Sequence, residues 1–420
     1  SGFRENGKET LRTLDQSVKL EQSSLQIQGR RHMGQEFTPR EMLEKLVSFP
    51  SVSRDSNLPV IDFIESYLAS HGVESHRVYD ATGQKANLYA NVGPAVEGGV
   101  ILSGHTDVVP VDGQDWNTDP FTVVEKDGKL YGRGTCDMKG FDALALCAVP
   151  LALKRGVKRP IQIAMSYDEE VGCVGAPFMI AEMAKHLPKA SAAIIGEPSL
   201  MKVVTGHKGG VGVATHVEGY EIHSSLQHIG VSAIHEAAKL IDWANQKNAE
   251  STAATPNPVA AMFVPPWTNA HVGTISGGTA NNITAKDCKF IMGFRCVPSD
   301  NPKDWIDAYT AKVREVEAGM KAIHPDAKIT LTPTYGVPGL RPEHEGAAEM
   351  LARRLTGDNG SHVVSYGTEA GQFQAEGYSA VVCGPGSIDQ AHQPNEYISV
   401  AEFEAGWAFM NRLIDHLCED

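Results

Sequence analysis

The sequence has no unbroken apolar run of roughly eighteen residues, so it predicts no membrane-spanning helix. Its seven cysteines form no Cys-x-x-Cys pair and no dense framework, which excludes a disulfide scaffold and is typical of a reducing compartment. A Gly-x-Ser-x-Gly elbow is also missing, which disfavours a serine hydrolase. We therefore expect a cytoplasmic protein that uses other chemistry.

Positive charge is scarce as well, because 37 Lys and Arg residues stand against 51 Asp and Glu residues, for a formal net charge of −14. Such an acidic chain is a poor partner for nucleic acid or for an anionic membrane surface. It suits a small cationic or neutral substrate, although an acidic soluble surface is the simpler explanation. The length of 420 residues accommodates two domains.

Residues 1–33 are polar, lack periodicity and end in His32-Met33. We interpret them as a leader derived from an expression vector, with a natural chain that starts at Met33. A flexible natural extension is the alternative, and the lack of an apolar core argues against a secretory signal.

Four short apolar runs predict buried parallel strands with helical patterns between them. The runs cover residues 99–103, 161–166, 192–196 and 379–383. Helices are predicted at residues 39–46, after the capping-box sequence Thr38-Pro39-Arg40-Glu41, at 59–71, and at 139–154 with an interruption at Pro150. This alternation predicts an α/β fold with a doubly wound sheet.

The pattern changes after Gly206. Strands at residues 210–217, 271–276, 288–296 and 328–334 and helices at 231–248 and 302–323 follow in the order β-α-β-β-α-β. This order is the ferredoxin-like split pattern. We therefore predict a catalytic domain of residues 34–207 and 338–420, interrupted by a small α+β domain of residues 208–337.

Five side chains of the kinds that bind metal ions stand at comparable places in the chain. Four of them come after predicted strands, and the fifth stands in a glycine-rich turn. They are His105, Asp137, Glu170, Glu197 and His392. Ligands of open α/β sheets gather outside the carboxyl ends of the strands, so we expect these five side chains to converge. Two histidines and three carboxylates form a ligand set for a pair of divalent ions, which a bridging carboxylate holds about 3.5–4 Å apart.

The neighbours of these residues strengthen the interpretation. Asp107 lies two residues after His105, where it can hold the second ring nitrogen of a metal-bound imidazole. Glu169 precedes Glu170, so one carboxylate can bind metal while the other faces the substrate. Each feature alone has an ordinary explanation, namely a structural histidine, an aspartate favoured at a helix N-terminus or a solvated acidic turn. Their convergence favours a functional site.

Six motifs then resemble those of a known family. SGHTDVVP, GRGTCDMKG, DEEVGCVGA, GEPS, IHSSLQHIG and CGPGSIDQAHQPNE are similar to motifs of the co-catalytic zinc amidohydrolases. That family includes acetylornithine deacetylase, succinyl-diaminopimelate desuccinylase, aminoacylases and glutamate carboxypeptidase. The resemblance runs from about Thr38 onward, and it implies a catalytic α/β domain with an inserted lid that forms a dimer.

The resemblance implies a role for each candidate ligand. Asp137 bridges two metal ions, of which zinc is expected, with cobalt or manganese as alternatives. His105 and Glu197 hold one ion. Glu170 and His392 hold the other.

The resemblance also implies catalytic and substrate-binding roles. Glu169 is the general base, which takes a proton from water and returns it to the leaving amine. His223 is similar to the lid histidine that reaches the partner subunit's site and stabilises the oxyanion, so a homodimer is expected. Asn282 and Arg295 are similar to lid residues that contact substrate. From composition alone, these three lid residues could instead be surface or hairpin residues.

Residues 366–373 (YGTEAGQF) bear on the substrate. Desuccinylases of the family show a GTSDGRF-like version whose Arg suits an extra carboxylate, whereas this chain has Gln372 there and Glu369 nearby. The exchange favours a substrate with a cationic amine near Glu369. Gly367 and Thr368 would then bind the substrate carboxylate, with help from Arg295.

Within the family, SYDEEVGCVGA and CGPGSIDQAH are most similar to the branch that removes the acetyl group from N2-acetyl-L-ornithine in arginine biosynthesis. A desuccinylase, an aminoacylase or a dipeptidase with the same chemistry is the nearest alternative. The non-enzyme alternative is a metal-binding homologue that has lost catalysis, which the intact Glu169 beside Glu170 disfavours. We expect a small N-acylated amino acid as partner, and no nucleic acid or membrane.

Overall fold

The computed structural model describes residues 36–419, so the leader predicted for residues 1–33 lies outside the described residues. The described helices are α1 (Pro39–Val47), α2 (Leu58–Ser70), α3 (Lys139–Arg155), α4 (Ala176–His186), α5 (Ala233–Ala253), α6 (Pro302–Ile323), α7 (Ala347–Thr356), α8 (Ala370–Ala375) and α9 (Val400–Cys418). Among them, no helix combines the length and the apolar character that crossing a membrane requires.

The described strands follow the same chain order. They are β1 (Ser75–Tyr79), β2 (Ala86–Val92), β3 (Val100–His105), β4 (Val124–Lys126), β5 (Lys129–Tyr131), β6 (Ile161–Ser166), β7 (Ala192–Pro198), β8 (Val204–His207), β9 (Gly209–Glu218), β10 (Asn269–His271), β11 (Ile275–Gly277), β12 (Asp287–Cys296), β13 (Lys328–Val337), β14 (His362–Val364), β15 (Ala380–Gly384) and β16 (Tyr397–Ser399). A small sheet of β16, β5 and β4 lies apart from two larger ones.

The main sheet has eight strands in the order β1-β2-β6-β3-β7-β15-β8-β14. Its central strands β6, β3, β7 and β15 run parallel, and β2 and β8 pair antiparallel with the outer two. Leu102 packs into a core with α1, α2, α3, α7 and α9, whereas Ile101 packs into a second core with α4 and α8. Helices therefore cover both faces, which confirms the prediction of a doubly wound α/β fold.

Of two local features that the sequence predicts for the helices, one is present in the structure and the other is not. The capping box at α1 forms, with Thr38 N donating to Glu41 Oε2 at 2.8 Å and Glu41 N donating to Thr38 Oγ1 at 3.3 Å. The predicted interruption at Pro150 is wrong, since α3 continues through it to Arg155. A proline inside a helix costs about 3 kcal/mol, and here the packing of buried neighbours such as Val149 offsets that cost.

The lid region (residues 209–337) contains the second large sheet, in the order β10-β12-β9-β13, with β11 also paired to β12. All of these pairs are antiparallel, and α5 and α6 pack over an apolar core that includes Leu240 and Phe294. The order of strands is that of the predicted ferredoxin-like fold. The single strand predicted at 271–276 is split, because one extra residue between His271 and Ile275 breaks the register against β12.

Candidate metal centre

Adjacent parallel strands bring the predicted ligands to one edge of the main sheet. In the order β6, β3, β7, β15, these strands end near Glu170, His105, Glu197 and His392. The fifth ligand candidate, Asp137, lies two residues before the start of α3. That helix lies close against β7 because Gly196 has no side chain, and a Cβ there would be 2.0 Å from the Phe141 ring.

Asp137 lies between the two histidines. Its Oδ1 is 3.0 Å from His105 Nε2, and its Oδ2 is 3.2 Å from His392 Nε2. Glu197 Oε1 lies 3.7 Å from the same nitrogen of His105, and Glu170 Oε2 lies 2.9 Å from that of His392. The five side chains therefore converge in two halves that share Asp137.

The electrostatics of the cluster require positive charge. Burial raises the pKa of Glu170 to about 8 and the pKa of Glu197 well above its usual value. For Asp137, burial acts in the same direction, but hydrogen bonds with His105 and His392 outweigh it and lower its pKa. Hydrogen bonds with Asp137 and Glu170 raise the pKa of His392 to about 10. Protons or cations must therefore balance the carboxylates, and metal binding releases such protons.

The donor atoms fit divalent metal ions. Ligand atoms of His105, Asp137 and Glu170 lie within 4.8 Å of one another, as do those of His105, Glu169 and Glu197. Among the described residues, the buried Glu170 Oε1 has no hydrogen-bond partner, so it is free to bind a cation. Imidazole nitrogens with carboxylate oxygens suit zinc, cobalt and manganese.

Asp107 contacts His105 through its backbone oxygen rather than through its side-chain carboxylate. His105 Nδ1 lies 2.8 Å from the backbone oxygen of Asp107 and 3.7 Å from its carboxylate. The carboxylate instead accepts hydrogen bonds from Ser53 Oγ at 2.6 Å and from the backbone nitrogens of Glu169 and Glu170 at 3.2 and 3.4 Å. Asp107 therefore orients His105 through its carbonyl and anchors the two glutamates through its side chain.

Glu169 lies beside the ligand cluster, with Cys173 Sγ donating to its Oε1 at 3.1 Å. Burial is the largest influence on its carboxyl group and raises the pKa of Glu169 to about 7. A carboxyl group with a pKa near neutrality can accept a proton and return it within one reaction.

A cleft of about 540 Å³ opens above the cluster, and residues of both large sheets line it. On the lid side it meets Arg295, Tyr335 and Val337, and Gly367 lies on its main-sheet side. Arg295 is the single Lys or Arg among the described lining residues. The structure thus brings Arg295 and Gly367 to the same cleft as the metal-type side chains.

His223 and Asn282 lie on an exposed part of the lid region and do not line this cleft. His223 Nδ1 is 2.8 Å from Ser225 Oγ, and the backbone oxygen of Asn282 accepts from Ser224 N at 2.8 Å. The action of His223 on a partner subunit's site and the contact of Asn282 with substrate both stay predictions.

The structure does not bring Glu369 and Thr368 to the cleft, because both residues are 1% exposed and neither lines it, so their contact with substrate stays a prediction. Glu369 accepts hydrogen bonds from Ser166 Oγ at 2.5 Å and from Ser103 Oγ at 3.5 Å, at the ends of β6 and β3. The Thr368 hydroxyl accepts from Ala370 N at 3.1 Å at the start of α8. Both side chains therefore support the site from behind.

Sequence reasoning missed a buried ion pair next to the ligands. Arg133 Nη1 donates to Glu396 Oε2 at 2.6 Å, and both side chains are fully buried. Both residues stand inside the motifs GRGTCDMKG and CGPGSIDQAHQPNE, which was the only available signal. Pairing across the chain could not be read from either motif alone.

The fold and the site together define a hydrolase that depends on divalent metal ions. A sequence profile of Peptidase family M20/M25/M40 matches residues 101–416. An acetylornithine deacetylase of Myxococcus xanthus is 33% identical over 386 residues, covering 90% of this chain and 97% of that protein. The chain therefore belongs to Peptidase family M20/M25/M40.

Solved structures show the same fold. An M20 family metallo-carboxypeptidase from Sulfolobus solfataricus is 17% identical, with a TM-score of 0.72 over 91% of this chain and 99% of that chain. A dinuclear metal-binding M20 peptidase from Bacillus subtilis is 15% identical, with a TM-score of 0.60 over 90% of this chain and 97% of that chain. The protein is a metal-dependent amidohydrolase, and its predicted resemblance to acetylornithine deacetylases is confirmed.

Proposed function

We propose that the protein removes the acetyl group from N2-acetyl-L-ornithine, a step of arginine biosynthesis, with two bound divalent ions. The observation that carries the two-metal site is Asp137, whose carboxylate oxygens each face a different histidine. The choice of substrate is supported by the similarity to an acetylornithine deacetylase over 90% of the chain.

The proposed roles follow from the two halves of the site. His105 and Glu197 would hold one ion, and Asp137 would bind both. Glu170 and His392 would hold the other. Bound divalent ions supply Lewis acidity and lower the pKa of water, and we propose zinc because these nitrogen and oxygen donors suit it.

Glu169 is the proposed general base. The Cys173 thiol occupies its Oε1, which leaves Oε2 to take the proton of the attacking water. The same carboxyl group then delivers that proton to the leaving amine. Asp107 fixes the position of Glu169 by accepting a hydrogen bond from its backbone nitrogen.

The lid region supplies the substrate contacts in this proposal. Arg295 in the cleft pairs with the α-carboxylate of the substrate, next to the backbone of Gly367. His223 acts on the partner site of a homodimer, where its ring donates a hydrogen bond to the developing oxyanion, and Asn282 contacts the substrate. The exposure of both side chains leaves them free for those contacts.

A second candidate is an aminoacylase for neutral substrates. Every carboxylate among the described lining residues belongs to Asp137, Glu169, Glu170 or Glu197, so none remains for a cationic side chain of the substrate. Val171, Tyr335 and Val337 give the cleft an apolar wall instead. Within one chain, these observations favour an N-acetylated apolar amino acid.

A deacylation panel separates the candidates. The metal-loaded enzyme is assayed with N-acetylornithine, N-succinyl-diaminopimelate and N-acetylmethionine, and we expect the highest kcat/KM for N-acetylornithine. A preference for N-acetylmethionine would identify an aminoacylase, and a preference for the succinyl compound a desuccinylase. Two tightly bound ions with no hydrolysis of any compound would identify a metal-binding homologue.

A further inference from the structure

We propose that the buried pair of Arg133 and Glu396 is a clamp that positions two of the metal ligands, Asp137 and His392, relative to each other. The inference rests on the proposed two-metal function. It assigns a role to two side chains that touch neither the cleft nor the ligand atoms.

Glu396 holds the loop that carries Asp137. Its Oε1 accepts hydrogen bonds from three backbone nitrogens, those of Gly134 at 3.0 Å, Cys136 at 3.0 Å and Asp137 at 3.1 Å. One carboxylate oxygen thus gathers the N–H groups of a turn and fixes the backbone from which the Asp137 side chain projects. Because each Asp137 oxygen must face a different histidine, the orientation of this backbone decides whether both halves of the site form.

Arg133 extends the clamp to the loop of His392. Its Nη1 donates to Glu396 Oε2 at 2.6 Å, and its Nη2 donates to Gln114 Oε1 at 2.6 Å. Gln114 Nε2 in turn donates to the backbone oxygen of His392 at 3.0 Å. A chain of hydrogen bonds therefore joins the backbone of Asp137 to that of His392.

The loop of His392 needs such support. The His392 side chain is 51% exposed, and its backbone adopts a φ of 63°, which L-residues rarely take. A buried ion pair is weak evidence for stability, since apolar side chains of the same volume often stabilise a core as well. Bonds from this pair to the backbone of one ligand and toward the other indicate positioning instead.

Glu396→Gln tests the clamp with little change in volume. The amide retains one oxygen for the three backbone nitrogens but turns an NH₂ group toward Arg133, so the loop of Asp137 should shift. Changes to residues that orient metal ligands typically weaken metal affinity about 10–100-fold. We expect a loss of this size for both zinc ions, measured by competition with a chelator at a temperature where the metal-free protein is folded.

Two further variants provide the controls. Glu65→Gln removes a carboxylate that pairs with Arg77 between α2 and β1, away from the cleft, and should leave both zinc dissociation constants unchanged. Gln114→Met removes the bonds from Arg133 to Gln114 and from Gln114 to the His392 backbone, together with the bond from Trp116 Nε1 to Gln114 Oε1 at 3.1 Å. The longer bond from Arg133 Nη1 to the backbone oxygen of Gln393, at 3.3 Å, remains. The variant should therefore weaken one zinc ion, the one assigned to Glu170 and His392, and spare the other. This selectivity is not expected of a pair that only stabilises the fold.

The outcomes separate the clamp from the metal site itself. Wild-type protein that binds no zinc would overturn the proposed function, and the clamp with it. Wild-type protein that binds two ions, with Glu396→Gln matching Glu65→Gln in both constants, would overturn the clamp alone. If Glu396→Gln does not fold, Gln114→Met decides, and unchanged binding of both ions would count against the inference.

Discussion

Buried charge is distributed very differently in the two regions of the molecule. The main-sheet region buries titratable side chains around the strand ends, among them His105, Asp107, Arg133, Asp137, Lys139, Asp142, Glu197, Glu369 and Glu396. Among the described residues of the lid region, Glu236 is the one buried charged side chain, and the core is apolar around Phe294. One region must stabilise charge, whereas the other folds on apolar packing and offers its surface for contacts.

The consequence of burying charge is visible on α3. Lys139 and Asp142 lie about one turn apart, and burial lowers the pKa of Lys139 to about 8 and raises the pKa of Asp142 to about 8. Both groups move toward their neutral forms, because a low-dielectric interior disfavours either sign of charge. Divalent ions would stabilise the buried carboxylates of the cluster in their charged form, because they supply the opposite charge at close range.

The strongest test of the division of roles changes Glu169 in the main-sheet region. Glu169→Gln removes the proton acceptor and leaves the five ligands, so turnover should fall by about 10²–10⁴-fold while both metal ions remain. Steady-state kcat and the metal content after dialysis are the measurements. Loss of metal in this variant would make Glu169 a ligand rather than the base.

The next test changes the lid region. His223→Ala should retain both ions and lower kcat by about 10²–10³-fold, the usual effect of removing one donor to an oxyanion. Mixing His223→Ala chains with Glu169→Gln chains should restore activity, because each mixed dimer has one intact site. If activity is not recovered although subunit exchange is confirmed, each active site is formed by one chain alone.

A smaller effect is expected at the cleft. Arg295→Met should raise KM for N-acetylornithine by about tenfold with little change in kcat, since a hydrogen bond to a charged group contributes about 1.5–3 kcal/mol and this side chain is exposed. The carboxamide of the same substrate, which lacks the carboxylate, is the control. An equal rise in KM for both compounds would contradict the proposed ion pair between Arg295 and the substrate carboxylate.

The smallest effect is expected at Glu369. Glu369→Gln should leave the ratio of kcat/KM for N-acetylornithine to that for a neutral N-acetyl amino acid within about twofold, because the side chain lies behind the cleft. Any loss should affect both substrates equally. A tenfold fall in the ratio would indicate that Glu369 contacts the substrate and would contradict the placement of its side chain behind the cleft.

The motifs were enough to predict that the candidate ligands converge, because each candidate follows a strand or turn that the local pattern defines. His105 is the last residue of β3, and Glu197 lies within β7 at its carboxyl end. Adjacent parallel strands then bring such residues together without further information from the sequence.

Features that depend on distant packing were not predictable in the same way. Glu369 meets Ser166 across 203 positions, and Arg133 meets Glu396 across 263. No local pattern specifies whether a carboxylate such as that of Glu369 faces the cleft or a buried hydroxyl. The split between β10 and β11 likewise depends on the register against β12.

We propose that one carboxylate, Asp137, holds two metal ions. The most direct measurement is the number of zinc ions per chain after equilibrium dialysis of the wild type and of Asp137→Ala. We expect two ions in the wild type and neither bound tightly in the variant, since the substitution removes a ligand atom from each half. A variant that loses one ion and holds the other with wild-type affinity would contradict it.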